Sequence, residues 1–145
     1  MATNKIVLKG SGHFDEGTLA AAVSCGMAIE FQPTSKYDEV QASQAEALKQ
    51  GTPIIAIEDA LQGNTVDDAY ASGDIVFTYQ PNAGDHIQVL VKDGETIAIG
   101  DKLVVEGGGS GLWLGITGSE AIYQVKALEA VSPSGANGLC KVAVL

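Results

Sequence analysis

The sequence predicts an all-β protein, a mainly antiparallel β-barrel or sandwich of tulip-like outline with one or two short helices. Glycine supplies 18 of the 145 residues, against a usual share of about 7%. These glycines separate short apolar runs, a pattern typical of β-proteins rather than helical ones. Gly-Asp pairs begin at Gly73, Gly84 and Gly100, and each leads into an apolar or β-branched run. Such pairs suit turns between successive antiparallel strands.

The strands follow from these runs in chain order. A first strand is predicted at Ile6–Leu8, and Gly10–Gly17 reads as a flexible loop. Two short strands, Thr18–Val23 and Met27–Phe31, meet across Ser24–Gly26. The remaining strands are predicted at Thr52–Glu58, after each Gly-Asp pair, and in the segments Leu112–Thr117, Ala121–Val131 and Gly138–Leu145. The polar stretch Pro33–Gly51 contains helix formers over Glu39–Gln50, so that half is either a helix or a surface loop.

The length favours a single domain, residues 1–145, with residues 1–16 as a candidate N-terminal arm. No basic segment followed by an apolar core opens the chain, so we expect no secretion signal. The most apolar stretch, Thr18–Ile29, is shorter than the ~18 residues that a membrane span needs. We therefore expect a soluble protein that is not secreted and has no membrane partner.

The charge balance argues against a nucleic-acid partner. The sequence has 18 acidic and eight basic residues, which gives a net charge of −10. An acidic surface repels phosphate backbones, and the lysines are scattered singly along the sequence. The two cysteines, Cys25 and Cys140, lack C-x-x-C spacing and lie in apolar surroundings. Buried thiols are the favoured interpretation, with a Cys25–Cys140 disulfide as the alternative.

One acidic stretch, Ile57–Asp74, raises the question of a metal site. Its five carboxylates are Glu58, Asp59, Asp67, Asp68 and Asp74. They do not follow the alternating ligand spacing of an EF-hand calcium loop. Thr65 and Asp68 instead form a T-x-x-D box that predicts a helix over Val66–Ser72, ended by Gly73. A helix cap with a solvated loop is therefore favoured, while Glu58, Asp59 and Asp67 have no local explanation.

Other candidate chemistry is weak. Ser11, His13 and Asp15 lie within one glycine-flanked segment, whereas a catalytic triad is normally assembled from separate elements. His86 starts a strand and is expected at the surface. Glu106–Gly111 lacks the GK[ST] sequence of a phosphate loop and reads as a hairpin-like loop. We predict no catalytic residues, no cofactor and no metal ligands.

Two passages resemble the head decoration, or cement, proteins of tailed bacteriophages. Pro53–Val91, "PIIAIEDALQGNTVDDAYASGDIVFTYQPNAGDHIQVLV", is similar in its order of strand, "ED", "ALQG", "TVDDAY" and two Gly-Asp turns. The C-terminal segment Ala121–Leu145 and the early Thr18–Phe31 add weaker similarity. The resemblance implies a non-enzymatic virion protein, assembled in the host cytoplasm. Such a protein binds the outer surface of an assembled capsid, often as a homotrimer, and bridges neighbouring major capsid subunits.

Two other functions stay open on the residues alone. A small β-barrel that binds a ligand or carbohydrate would use Trp113 and the acidic stretch, although Trp113 can equally pack in the core or in an oligomer interface. A small hydrolase would use Asp67, Asp68 and His86. If the protein binds a capsid, we expect Ala2–Phe14 and the exposed loops to make the contact, by adding a strand to a partner sheet.

Overall fold

The computed structural model describes residues 5–31, 39–42, 54–106, 110–116 and 125–145. Within these ranges nearly all regular structure is β, which confirms the predicted fold class. The strands are β1 (Val7–Lys9), β2 (His13–Leu19), β3 (Ala28–Phe31), β4 (Glu39–Ala42), β5 (Ile54–Ala56), β6 (Ile75–Gln80), β7 (His86–Val91), β8 (Lys102–Val105), β9 (Trp113–Gly115), β10 (Val125–Ala127) and β11 (Gly138–Val144). A short 3-10 helix covers Ala60–Gln62.

The first region is a closed barrel of five strands in the order β2-β4-β3-β5-β6, called here the barrel. Its longest pairing is antiparallel, between His13–Thr18 of β2 and Ile75–Gln80 of β6. β2 also pairs with β4, in parallel, at Thr18 and Leu19. The chain thus forms the barrel from residues before and after the acidic stretch, which lies between β5 and β6.

The second region is a six-stranded sheet in the order β1-β7-β11-β10-β8-β9, called here the sheet. Its central pair is β7 with β11, antiparallel over six residue pairs. β9 returns to meet β7 through the parallel pair Val91 and Trp113, so the sheet curls back on itself. β8 and β9 form an antiparallel hairpin, as predicted for the segment around Glu106–Gly111.

Strict alternation gives the sheet its core. In β7, Ile87, Val89 and Val91 are fully buried, and their partners in β11 include Cys140 and Val142. The inward set on the remaining strands comprises Leu103, Val105, Trp113, Val125 and Ala127, all buried. Side chains at the intervening positions face outward, as the period of two requires.

A turn of the barrel joins it to the sheet. Gly26 accepts a hydrogen bond from the Leu90 N–H at 3.0 Å and donates its own N–H to Ala56 at 2.9 Å. Gly26 has a φ of +88°, and a Cβ there would lie 2.8 Å from the Leu90 nitrogen. Only glycine combines that backbone conformation with so close an approach between strands.

Several predictions of local structure are wrong. Of the predicted strand Thr18–Val23, only Thr18 and Leu19 belong to a strand, β2. Most of the predicted loop Gly10–Gly17 is also strand, because His13–Thr18 pairs with β6 and tertiary pairing overrides its polar composition. No α-helix forms over Val66–Ser72, because the backbone N–H and carbonyl of Tyr70 pair with Val23 in an antiparallel bridge rather than with neighbours in their own segment. Of the segment Glu39–Gln50, the described part, β4, is a strand rather than a helix, and 43–50 lies outside the described residues.

Several other strand predictions are confirmed within a few residues: the strand near residue 7, the strand in Thr52–Glu58 and the strands after the three Gly-Asp pairs. The domain boundaries and the N-terminal arm stay predictions. Residues 5–16 are part of both regions: β1 belongs to the sheet, and β2 begins in the barrel. Ile6 is fully buried. No helix in the described part of the chain is long and apolar enough to cross a membrane.

Candidate functional site

Four of the five carboxylates of the acidic stretch, those of Glu58, Asp59, Asp68 and Asp74, have separate structural roles. Glu58 accepts a 2.9 Å hydrogen bond from the Ile6 N–H and so ties the N-terminal segment to the barrel. Asp59, which is buried, caps the 3-10 helix by accepting from the Gln62 N–H at 3.3 Å. The predicted T-x-x-D box exists, but it closes a single turn, with the Thr65 N–H donating to Asp68 at 2.7 Å. The stretch is therefore mainly scaffold.

Three aspartates of the Gly-Asp pairs share one turn geometry. Asp74, Asp85 and Asp101 each accept from the N–H three residues earlier, at 2.8, 2.9 and 2.8 Å. Each also donates its own N–H to the carbonyl of that same residue at 3.1 Å. The glycine before each aspartate has a φ between +86° and +91°, which is the third position of a type II turn. The repeated pairs are thus turn closures.

A cleft on the barrel brings together four acidic residues. We call it the acidic cleft, a hollow of 400 Å³ beside β6. Its charged members are Glu16, Asp59, Asp68 and Asp74, and its apolar floor includes Ile75 and Phe77. Ile75 is 56% exposed. No group of three or more histidine, cysteine, aspartate or glutamate side chains suited to a metal ion occurs among the residues described.

The same face carries a further exposed aromatic residue. Phe14 is 65% exposed and packs edge-to-face on Tyr79, with ring centroids 4.8 Å apart. In the register of β2 and β6, the directly opposed pairs Phe14–Tyr79 and Glu16–Phe77 lie on this face. This face therefore combines exposed apolar side chains with carboxylates.

A buried network around Asp85 fixes the segment before β2. The Tyr79 hydroxyl donates to Asp85 at 2.6 Å and accepts from the Gly12 N–H at 2.7 Å. Asp85 also accepts from the N–H groups of Asn82 and Ser11. Burial alone would raise the pKa of Asp85, but the Tyr79 hydroxyl and the surrounding backbone N–H groups outweigh it and lower that pKa.

The residues proposed for catalysis serve other purposes or lie apart. Ser11 uses its N–H to bind Asp85, and His13 is exposed on β2 opposite Gln80. His86 is half-buried at the start of β7, between Lys9 and Ala143. Asp67 lies on a different surface, in a groove described below, so the hydrolase set of Asp67, Asp68 and His86 has no common site.

The cysteines are free and buried, which confirms the favoured prediction. Burial raises the pKa of Cys25 to about 12, helped by the nearby carboxylates of Glu58, Asp68 and Asp67. Burial likewise raises the pKa of Cys140 to about 12, with a smaller contribution from Glu129. Both thiols therefore stay protonated at neutral pH and are poor nucleophiles.

Trp113 belongs to the core of the sheet. It is fully buried, so it provides neither a sugar platform nor an oligomer contact. Its indole nitrogen has no hydrogen-bond partner among the residues described. Glu106, at the start of the glycine-rich loop, is paired with Lys92 at 2.6 Å and accepts from the Ser110 hydroxyl at 2.9 Å.

A groove lies where the barrel meets the sheet. It has a volume of 680 Å³ and mixes apolar residues such as Leu90 and Leu139 with Asp67, Glu129 and Lys141. Its size is that of a small-molecule site. Sequence reasoning did not find it, because its walls come from segments that only the fold brings together.

A row of basic residues on the sheet was also missed. Pairing in register places Lys9, His86, Ala143, Lys126 and Lys102 side by side across β1, β7, β11, β10 and β8. We call this the lysine row. At about 4.8 Å per strand, the four spacings span about 19 Å. The lysines are far apart in sequence, so only the strand order could reveal them.

Comparison with known proteins gives a match to the fold. A scan of protein-family models and a search of curated proteins find no match to this chain. Among solved structures, the N base of head fiber gp8.5 of bacteriophage phi29 is similar, with a TM-score of 0.61 and 13% sequence identity. The match covers 93% of this chain and 95% of that chain. The two proteins share a fold over essentially their whole lengths.

Proposed function

We propose that this protein is a non-enzymatic structural component of a tailed-phage virion that binds the outside of the assembled head. The observation that carries the proposal is the whole-length likeness to the base of a phage head fiber. The passages that resemble decoration proteins, Pro53–Val91 and Ala121–Leu145, support it independently of that likeness. Because a shared fold alone does not establish a shared function, the proposal also depends on the residues at the surface of the barrel.

Those surfaces are built for contact rather than for reaction. The thiols of Cys25 and Cys140 are buried and protonated, and Asp59, Asp68 and Asp74 of the acidic stretch close turns or cap a helix. In contrast, Phe14, Leu61 and Ile75 are exposed at 65, 89 and 56%. Large apolar side chains at such exposure are suited to burial against a partner.

In the full proposal, the protein is a homotrimer that bridges neighbouring major capsid subunits and stabilises the head. The partner is the major capsid protein, and the location is the capsid exterior, reached after assembly in the host cytoplasm. A symmetric oligomer on a repeating lattice gains avidity without further contacts per copy. We propose that Ala2–Phe14 and the exposed loops make the contact.

Co-sedimentation tests this function. Heads assembled from the major capsid protein encoded with this chain, and lacking this chain, are mixed with purified protein at increasing concentration and then pelleted. We expect saturable binding at a fixed ratio of this protein to capsid subunits. A Phe14→Ala variant, which alters a side chain that is 65% exposed and does not line the acidic cleft, serves to locate the surface. Failure of the unaltered protein to pellet with any such head would reject the proposal.

A ligand-binding module is the second candidate, favoured by the groove of 680 Å³ at the junction. The Trp113 site first envisaged for it is not available, because Trp113 is buried. Backbone NMR shifts measured with calcium and with a panel of glycans test this candidate. Shifts at Leu90, Leu139 and Lys141 would support it, and an unchanged spectrum throughout the panel would remove it.

A further inference from the structure

The charges of this protein are divided between its two regions. The described residues of the barrel and its connections, 13–31, 39–42 and 54–80, contain nine acidic residues and no lysine or arginine. The other described residues contain six acidic and six basic ones. The net charge of −10 is therefore unevenly distributed: among the described residues, the barrel is strongly negative and the sheet is neutral.

The neutral region is itself polarised. Lys9, Lys126 and Lys102 are exposed on the outward face of the sheet, in one row. Lys126 and Lys102 are directly opposed across β10 and β8. Leu128, 41% exposed, follows Lys126 on this face, which therefore combines positive charge with apolar area.

The acidic cleft is the complementary surface. Glu16, Asp68 and Asp74 are exposed around Ile75 and Phe77, so the cleft combines negative charge with an apolar floor. Contact between two copies of the cleft would oppose carboxylates, and contact between two lysine rows would oppose ammonium groups. Such like-charge contacts are unfavourable, whereas contact between the cleft and the row is favourable.

We propose that copies of this chain associate head-to-tail, with the acidic cleft of one copy seated on the lysine row of the next. The contact is heterologous, because it uses two different surfaces of the chain. A heterologous contact that closes on itself produces a ring, and a ring of three gives the homotrimer. The inference rests on the self-association part of the proposed function and is independent of head binding.

Sedimentation velocity with two matched pairs of variants tests the contact. Lys126→Glu and Glu16→Lys each place one reversed charge on a proposed surface. Their controls change the net charge by the same amount elsewhere. Ser134→Glu/Ala136→Glu alters exposed positions between β10 and β11, and Asp15→Lys alters the neighbouring exposed residue of β2. We expect each test variant to dissociate at least about tenfold more readily than the unaltered protein, while the controls associate normally.

A mixture of the two test variants provides the decisive experiment. Lys126→Glu chains keep an intact cleft and Glu16→Lys chains keep an intact row, so the two together should associate although neither does alone. The milder Lys126→Gln should weaken association less than Lys126→Glu, and circular dichroism verifies that each variant is folded. An unaltered protein that is monomeric at every concentration, or test variants that associate like their controls, would overturn the inference. Pelleting Lys126→Glu with heads tests head binding separately.

Discussion

The sheet and the barrel differ in how their side chains are buried and in the charge of their surfaces. In the sheet, inward positions are fully buried along every strand from β7 to β11, with Trp113 as the largest side chain. In the barrel, four consecutive residues of β2, His13 to Glu16, are exposed. The sheet is thus well packed and electrically neutral, while the barrel carries the negative charge and the exposed aromatic residue Phe14. The buried core of the sheet thus serves stability, while the exposed surfaces of both regions are suited to recognition.

The largest effect expected is loss of the sheet core. Trp113→Ala removes a fully buried aromatic side chain and leaves a cavity. It should lower the free energy of unfolding by about 3–5 kcal/mol. Denaturant unfolding measures this change. The 73% exposed Ile99, in the turn before β8, provides the control. Ile99→Ala should change stability by no more than about 0.5 kcal/mol, and a similar loss in both variants would contradict the division of roles.

The junction between the regions is the next most sensitive point. Gly26→Ala adds a methyl group 2.8 Å from the Leu90 nitrogen at a φ of +88°. We expect a loss of more than about 2 kcal/mol, from backbone strain and overpacking together. Gly135→Ala is the matched control, since Gly135 has a φ of +82° and nothing within 4 Å of its added Cβ. Thermal unfolding should show a smaller loss there, about 1–2 kcal/mol from strain alone.

The Asp85 network gives an intermediate effect with a defined pH dependence. Asp85→Asn replaces a buried carboxylate that accepts hydrogen bonds from Tyr79, Asn82 and Ser11. The expected loss at pH 7 is about 2 kcal/mol. Because the folded protein lowers the pKa of this carboxyl below its ordinary 3.8, its contribution is complete above that pH. The contribution disappears as the pH falls through the folded pKa. Unfolding from pH 7 to pH 2 should show the variant and the unaltered protein converging, and a constant gap would refute this assignment.

The smallest effect expected lies on the barrel surface. Asp15→Lys places the first lysine among the nine acidic residues described there. Relief of charge repulsion should stabilise the protein by no more than about 0.5 kcal/mol. The gain should shrink as salt shortens the screening length. Thermal unfolding at low and high salt measures this difference, and a marked destabilisation would show that Asp15 has a structural role.

Local sequence signals predicted the fold class and many of the strands, since the Gly-Asp turns depend on three or four neighbouring residues. Asp74, Asp85 and Asp101 illustrate this, as each closes its own turn. The failures have non-local causes. His13–Leu19 is a strand because β6 pairs with it, and Val66–Ser72 is not helical because Tyr70 pairs with Val23. The acidic cleft and the lysine row depend on strand order, which no local pattern contains.

The thermal stability of the head tests the central claim most directly. Scanning calorimetry compares heads lacking this protein with heads saturated by it, and with heads mixed with the Phe14→Ala variant. A protein that bridges capsid subunits should raise the head melting temperature in proportion to occupancy, and the variant should raise it less at equal concentration. An unchanged melting temperature at saturating protein would contradict the account.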